Sequence, residues 1–181
     1  QADPSGDWGP VVMALSGTVH TTSPDSGREI PADDLFDGTL STTLANDELI
    51  ERITLPLPDP DHAVGGGYLK VKRRQGVYAT ASVGVHLEFD GDVVANAGAV
   101  VNSVGPDYHH ATEAEALLEG ERLTNDRITE AADVLLSNIE VLGDTRGSAA
   151  YKRDVVRALF KRAAKTAEDR ADCLEVETDP M

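Results

Sequence analysis

The tightest concentration of positive charge in this chain is Lys70, Lys72, Arg73 and Arg74, set in a sequence whose formal net charge is -16. Cations gathered this closely lower the energy of a neighbouring anion, so they suit a negatively charged cofactor or a reduced electron carrier. On an edge strand the same charges would only block pairing with another sheet. If a strand runs through them, Lys70, Lys72 and Arg74 share one face and Arg73 points to the other.

Other residues with chemical potential lack the partners that chemistry requires. His109 and His110, with Asp107 and Glu113 nearby, could offer nitrogen and oxygen to a metal, but adjacent histidines diverge and the spacing is not a helical i, i+4 pair. Gly65, Gly66 and Gly67 lack the strand and helix that frame a phosphate loop, and read as a flexible hinge. No GxSxG elbow or Ser, His, Asp set is present, and Cys173 falls in a polar tail where a nucleophile could not be held. Asp3 and Asp7 flank a Pro-Ser-Gly turn, where carboxylates satisfy loop amides or accept from a ribityl or ribose hydroxyl. A self-sufficient catalyst is not expected.

The elements that must position these residues follow from periodicity. The run Val11 to His20 mixes β-branched and small residues and predicts a strand, with Ile30 to Phe36 as its return. Asp47 to Pro56 alternates as a half-buried strand. After the proline- and glycine-rich stretch through Gly67, three strands are expected: Tyr68 to Val71, Tyr78 to Phe89 and Val93 to Val104. Asp90-Gly91 should form a tight hairpin between the last two. Three helices follow. Thr112 with Glu115 has the spacing of a capping box, and Gly120 can end that helix. A second helix runs from about Asn125 to Asn138 with Ile128, Ala131, Leu135 and Ile139 on one face, and a third from about Ser148 to Glu168 with Tyr151, Val155, Leu159 and Ala163 in its apolar stripe. Residues from Asp169 onward are expected to be an acidic, disordered tail. The fold class is α+β, with the helices packed on one face of the second sheet.

Composition narrows the partners. With 32 acidic against 16 basic residues, nucleic acid and anionic membranes are poor partners, because both need a basic face. The acid excess, spread over every element, fits a surface kept soluble in a salty cytoplasm. One cysteine supports neither a disulfide framework nor a cysteine-ligated cluster. No apolar run is long enough for a transmembrane helix. The opening QADPSGDW has no initiator Met and no signal pattern, and is expected to follow a segment outside this sequence.

Five stretches, in order and at suitable spacing, carry a family resemblance: ADPSGDWGP, DELI with ITLP, YLKVKRRQGVYATASVGV, AEALLEG and DTRGSAAYKRDVV. Together they resemble the FAD-binding medium subunit of molybdenum hydroxylases, closer to the carbon-monoxide dehydrogenase branch than to xanthine dehydrogenases. The resemblance implies that residues 1–60 are the C-terminal part of the second, PCMH-type FAD-binding subdomain, with a mixed sheet. It further implies a linker at 61–67, a C-terminal flavoprotein domain at 68–168 with a three-stranded antiparallel sheet and a three-helix bundle, and a tail at 169–181.

By the same resemblance, Asp7 would bond the ribityl or nearby polar atoms of FAD, and Ile50 would contact the ring system. Tyr68 would lie beside the isoalloxazine, Lys70 near its polar edge, and Arg74 close enough to affect its potential. The family's two glycine-rich pyrophosphate-binding segments are not in this sequence. The implied partners are a large subunit holding the molybdenum cofactor and a small subunit holding [2Fe-2S] clusters, in a dimer of heterotrimers. FAD would collect electrons from the clusters for an external acceptor, with no residue of this chain acting as acid, base or nucleophile. The reading from another class is a docking module that binds no flavin by itself.

Overall fold

The first apolar run folds as a helix. In the computed structural model, which describes residues 2–74 and 76–177 with side chains through residue 172, helix α1 spans Trp8–Ala14. Pro10 lies in its first turn, where a missing N–H breaks no intrahelical bond. The reason is tertiary. A Cβ at Gly98 would sit 1.9 Å from the Ala14 carbonyl oxygen, so a glycine on the sheet lets the helix backbone lie directly on it. Val12, Met13 and Ala14 are buried in that contact, and the strand expected from Val11 begins only at Thr18.

Strands β1 (Thr18–Thr22), β2 (Glu29–Pro31) and β3 (Leu49–Thr54) form a sheet in the order β2-β1-β3. Val19 faces Ile30 on one side and Ile53 on the other, and both pairings are antiparallel, where a mixed sheet was expected. The buried side of this unit is Val19, Ile30 and Leu35 with Phe36 and Leu44. The alternation in β3 predicted a half-buried strand, yet all its residues are exposed: it is an edge strand with a neighbour on one side only.

The second sheet is antiparallel throughout, in the order β4 (Ala63–Val71), β5 (Ala81–Asp90), β6 (Val93–Asn102), β7 (His109–His110). The expected three-stranded meander is present, extended by the short β7. Pairing of Asp90 with Val93 leaves Gly91 and Asp92 in the turn, and Gly91 takes φ +57°, so the glycine occupies the first central position.

The triglycine is not a hinge. Gly65, Gly66 and Gly67 lie inside β4, and a Cβ on Gly65 would stand 1.8 Å from the Ala167 carbonyl oxygen. Gly65 and Gly67 are there because helix α4 (Ala149–Glu177) lies backbone to backbone on the strand, with Ala163, Ala164, Ala167 and Ala171 buried. The tail expected to start disordered at Asp169 instead continues this helix through Glu177, while residues 178–181 lie outside the described residues. Helix α3 spans Asn125–Asn138 as its periodicity predicts, and Thr124 caps it by accepting from the Arg127 amide. Helix α2 (Thr112–Leu118) departs from the expected capping box: Ala111 is the N-cap, and Glu115 turns its carboxylate to the Ala99 amide of β6, 2.6 Å away. Gly120, at φ +76°, follows the end of α2. Tyr151 is 48% exposed, outside the apolar stripe of α4. The three helices and the second sheet share one core, in which Phe160, Leu135, Leu136 and Ile128 are fully buried.

Candidate functional site

In β4, Gly65 and Gly67 face α4, so the alternate residues Gly66, Tyr68 and Lys70 face the other side, toward the N-terminal loop. That loop is fixed by its own polar groups. The Asp3 carboxylate accepts from the Ser5 amide at 2.8 Å, Asn102 donates to the Gly6 carbonyl at 3.0 Å, and the Tyr108 hydroxyl donates to the Asp3 carbonyl at 2.6 Å. The loop ends at Asp7, which sits at the N-cap of α1 but makes no capping bond. Its carboxylate accepts instead from the Tyr68 hydroxyl at 2.8 Å and from Lys70 Nζ at 2.5 Å.

Three of the five expected site residues, Asp7, Tyr68 and Lys70, therefore meet in one half-exposed cluster. Burial pushes the Asp7 carboxyl up, but hydrogen bonds from Lys70 and Tyr68 and the charges of Lys70 and Lys72 outweigh it and leave Asp7 below the ordinary carboxylate range. Burial pushes the Tyr68 phenol up to about 12; Ser82 opposes this and the Asp7 anion adds to it. At neutral pH the cluster is thus a carboxylate held by a neutral phenol and an ammonium.

Arg74 lies farther along. Strand β4 ends at Val71, so the alternation expected to align Lys70, Lys72 and Arg74 stops before Arg74. The segment after it folds over a cavity of about 880 Å³ lined by Arg73, Arg74, Val77, Tyr78 and Thr80 on one side and by Asp144, Thr145 and Arg146 on the other. Arg73 crosses to donate to the Thr145 carbonyl at 2.9 Å. Tyr78 is 62% exposed on this cavity, whereas the Tyr68 hydroxyl is committed to Asp7. A second depression, lined in part by Asp3, Ser5 and Ser103, shares Asp144 and Arg146 with the first and so connects the N-terminal loop to it. Ile50 stands apart on β3, the strand paired with β1, and is 42% exposed.

The histidine pair diverges. His110 is held between Asp33 and Glu115 at 2.8 and 2.9 Å, and those hydrogen bonds raise its pKa to about 10. His109 is lowered by burial. Among the described residues no group of three or more His, Cys, Asp or Glu could hold a metal ion.

The residues present suit a flavin ring. An exposed phenol face and Val77 offer a platform, and guanidinium groups beside them suit an electron-rich polar edge. Asp7 retains acceptor capacity, since each carboxylate oxygen has room for more than one donor. Sequence reasoning did not single out Tyr78, Asp144 or Arg146, which line the cavity. An Asp two residues before an amide it can capture is the local signal for the 144–147 turn. No local signal brings Tyr78 opposite that turn.

Fold and geometry together define an α+β module in which a carboxylate, a phenol and a lysine meet beside a cavity lined partly by guanidinium groups. Residues 67–167 match the family described as CO dehydrogenase flavoprotein C-terminal domain, and residues 1–58 match the FAD binding domain in molybdopterin dehydrogenase. The chain is 33% identical over 164 residues to the glyceraldehyde dehydrogenase medium chain of Sulfolobus acidocaldarius, covering 91% of this chain and 57% of the relative. It is 32% identical to the nicotine 6-hydroxylase medium subunit of Paenarthrobacter nicotinovorans, over 93% and 58% of the two chains. It superposes with a TM-score of 0.88 and 31% identity on carbon monoxide dehydrogenase from Hydrogenophaga pseudoflava, solved in a form lacking the Mo-pyranopterin moiety of its molybdenum cofactor, over 93% of this chain and 58% of that one. The chain belongs to the FAD-binding medium-subunit family of molybdenum hydroxylases. It spans under three-fifths of the length of these relatives.

Proposed function

We propose that this chain supplies the ring-side part of the FAD site in a flavin-carrying electron-transfer subunit of a molybdenum hydroxylase, of the carbon-monoxide dehydrogenase type. The observation that carries the reading is the meeting of Tyr68 and Lys70 of β4 on Asp7, two strand positions and a loop residue 61 and 63 positions away in sequence. FAD, when bound, supplies the capacity to take up electrons and pass them on singly or in pairs. The chain's own residues then orient and tune. Asp7 accepts from a ribityl hydroxyl, Lys70 holds Asp7 ionised and faces the polar edge of the ring, and Arg74 places a positive charge where negative charge develops. Tyr78 is the better platform for the ring than Tyr68, because its face is open and its hydroxyl has no protein partner among the described residues. Ile50 remains an apolar contact contributed from the first sheet.

In this reading a large subunit carries the molybdenum cofactor, a small one carries [2Fe-2S] clusters, and the assembly is a dimer of heterotrimers in the cytoplasm. No helix among the described residues is long and apolar enough to cross a membrane. The relatives act on glyceraldehyde, nicotine and carbon monoxide by their names, so substrate choice falls to the molybdenum centre on another chain. The net charge of -16 supports a protein adapted to a salty interior.

The second reading, a docking module, is favoured by one observation: Leu49, Ile50, Ile53, Leu55 and Leu57 are all exposed along β3 and just beyond it. A flavin absorbance spectrum of the full-length gene product and of this 181-residue chain, each purified in high salt with FAD, separates the two. Bound flavin in the full-length protein supports the flavoprotein; flavin in neither sample leaves only docking.

A further inference from the structure

One wall of the cavity beyond β4 is the 144–147 turn, and a single buried side chain ties that turn to the interior. Lys152, in the first turn of α4, is only 2% exposed. Its Nζ lies 3.1 Å from Asp144 Oδ2 and 3.2 Å from the Ser103 carbonyl oxygen. Asp144 also accepts from the Arg146 amide at 2.8 Å and from the Arg146 guanidinium at 2.8 Å, and its own amide closes the turn on the Gly147 carbonyl at 2.9 Å. Burial pushes the Asp144 carboxyl up, but the Arg146 and Lys152 bonds hold it down at about 2. Ser103 takes φ +68°, a conformation a residue with a side chain keeps only under restraint, and its amide donates to the Pro4 carbonyl of the N-terminal loop.

Lys152 therefore joins α4, the turn and, through Ser103, the loop that presents Asp7. A buried ion pair is a weak source of net stability, since apolar residues replacing both partners are often neutral or better, whereas removing one partner leaves the other short of a bond. What such a pair does is fix a geometry. We propose that Lys152 is a positioning residue for the flavin-ring cavity: by holding Asp144 it sets Arg146 and, through the Thr145 carbonyl, Arg73. Lys152 touches no ligand itself. This role rests on the flavin reading above.

The test compares Lys152→Met and Lys152→Arg with Arg74→Ala and Tyr78→Ala in the full-length gene product. Methionine fills a similar volume and leaves α4 packed. The expected result for Lys152→Met is a folded protein with a lowered melting temperature, since Asp144 loses one partner but keeps Arg146. Its Kd for FAD rises about tenfold, its flavin midpoint potential shifts, and its Asp144, Arg146 and Gly147 amides exchange faster. Lys152→Arg restores affinity and potential. If Lys152→Met binds FAD with parental affinity and potential while Arg74→Ala or Tyr78→Ala weakens it, the positioning role is wrong and the flavin site stands. If all three bind FAD as the parent does, the cavity is not the flavin site and the proposal falls with it. Should the Met variant not fold, Lys152→Gln, which keeps a donor for Ser103 but no charge for Asp144, carries the same comparison.

Discussion

Gly67 of β4 lies beneath α4 so closely that a Cβ there would stand 2.5 Å from the Ala163 carbonyl oxygen. The obstacle is backbone, which cannot rotate away as a side-chain tip could. Gly67→Ala must therefore lift α4 off the strand and disturb the core around Phe160. Overpacking of this kind costs about 1–3 kcal/mol, and a backbone clash belongs at the upper end. Denaturant unfolding should show that loss for Gly67→Ala and for Gly65→Ala, but almost none for Gly66→Ala, where the nearest atom is 3.7 Å away. Equal effects at all three positions would rule out this packing.

This contrast also shows what local sequence reveals and what it conceals. Helix α3 was legible because Ile128, Ala131, Leu135 and Ile139 repeat at helical spacing and all four are buried. Residues 8–14 were not, because β-branched content favours a strand and the deciding contact, Ala14 on Gly98, comes from a residue 84 positions away. Gly65 to Gly67 read as a break for the same reason: the meaning of Gly65 and Gly67 lies in the helix that covers them. Of the site, Asp7, Tyr68 and Lys70 were named from the resemblance, and the structure brings them together. The wall formed by Tyr78 and the 144–147 turn arises only when residues 66 or more positions apart fold against each other.

His110 joins two parts of the fold, donating from one ring nitrogen to Asp33 of the segment after β2 and from the other to Glu115 of α2. Its pKa, raised from 6.5 to about 10 chiefly by those bonds, makes the native state prefer the imidazolium. The stabilisation is therefore complete below the unfolded value near 6.5, declines as pH rises, and is gone above about 10. Replacing His110 with Gln should cost about 1.5–3 kcal/mol at pH 6, the range for hydrogen bonds to charged groups, and much less at pH 10. Urea midpoints measured across that range test it; a constant difference between the two proteins contradicts the linkage.

Asp7→Asn tests the polar cluster without changing its shape. The carboxyl is held below its ordinary value of 3.8, so its contribution is present above that value and is lost only as pH falls through the lowered one. At neutral pH the variant loses the anion that Lys70 and Tyr68 address. Because the side chain is 53% exposed, unfolding stability should change by less than about 1 kcal/mol. FAD affinity should fall by about tenfold, a loss of one charge-assisted contact. Isothermal titration of the full-length protein with FAD decides it: unaltered affinity would remove Asp7 from the site.

Lys70 and Arg74 act from different places, and that difference predicts how their variants combine. Lys70 is bound to Asp7, so Lys70→Met removes its own charge and also frees the Asp7 carboxyl to rise. Arg74 has no ion pair or hydrogen bond among the described residues, so Arg74→Ala should leave unfolding stability within about 0.5 kcal/mol and act on the ligand alone. Each should move the flavin midpoint potential negative, since each removes positive charge near the reduced ring. Lys70→Met should be strongly non-additive with Asp7→Asn, its hydrogen-bonded partner, and nearly additive with Arg74→Ala, as expected for sites without a shared partner. Spectroelectrochemical titration of the single and double variants reads both couplings. If Lys70→Met and Arg74→Ala leave the potential where it was, the basic segment is only the guard of an edge strand.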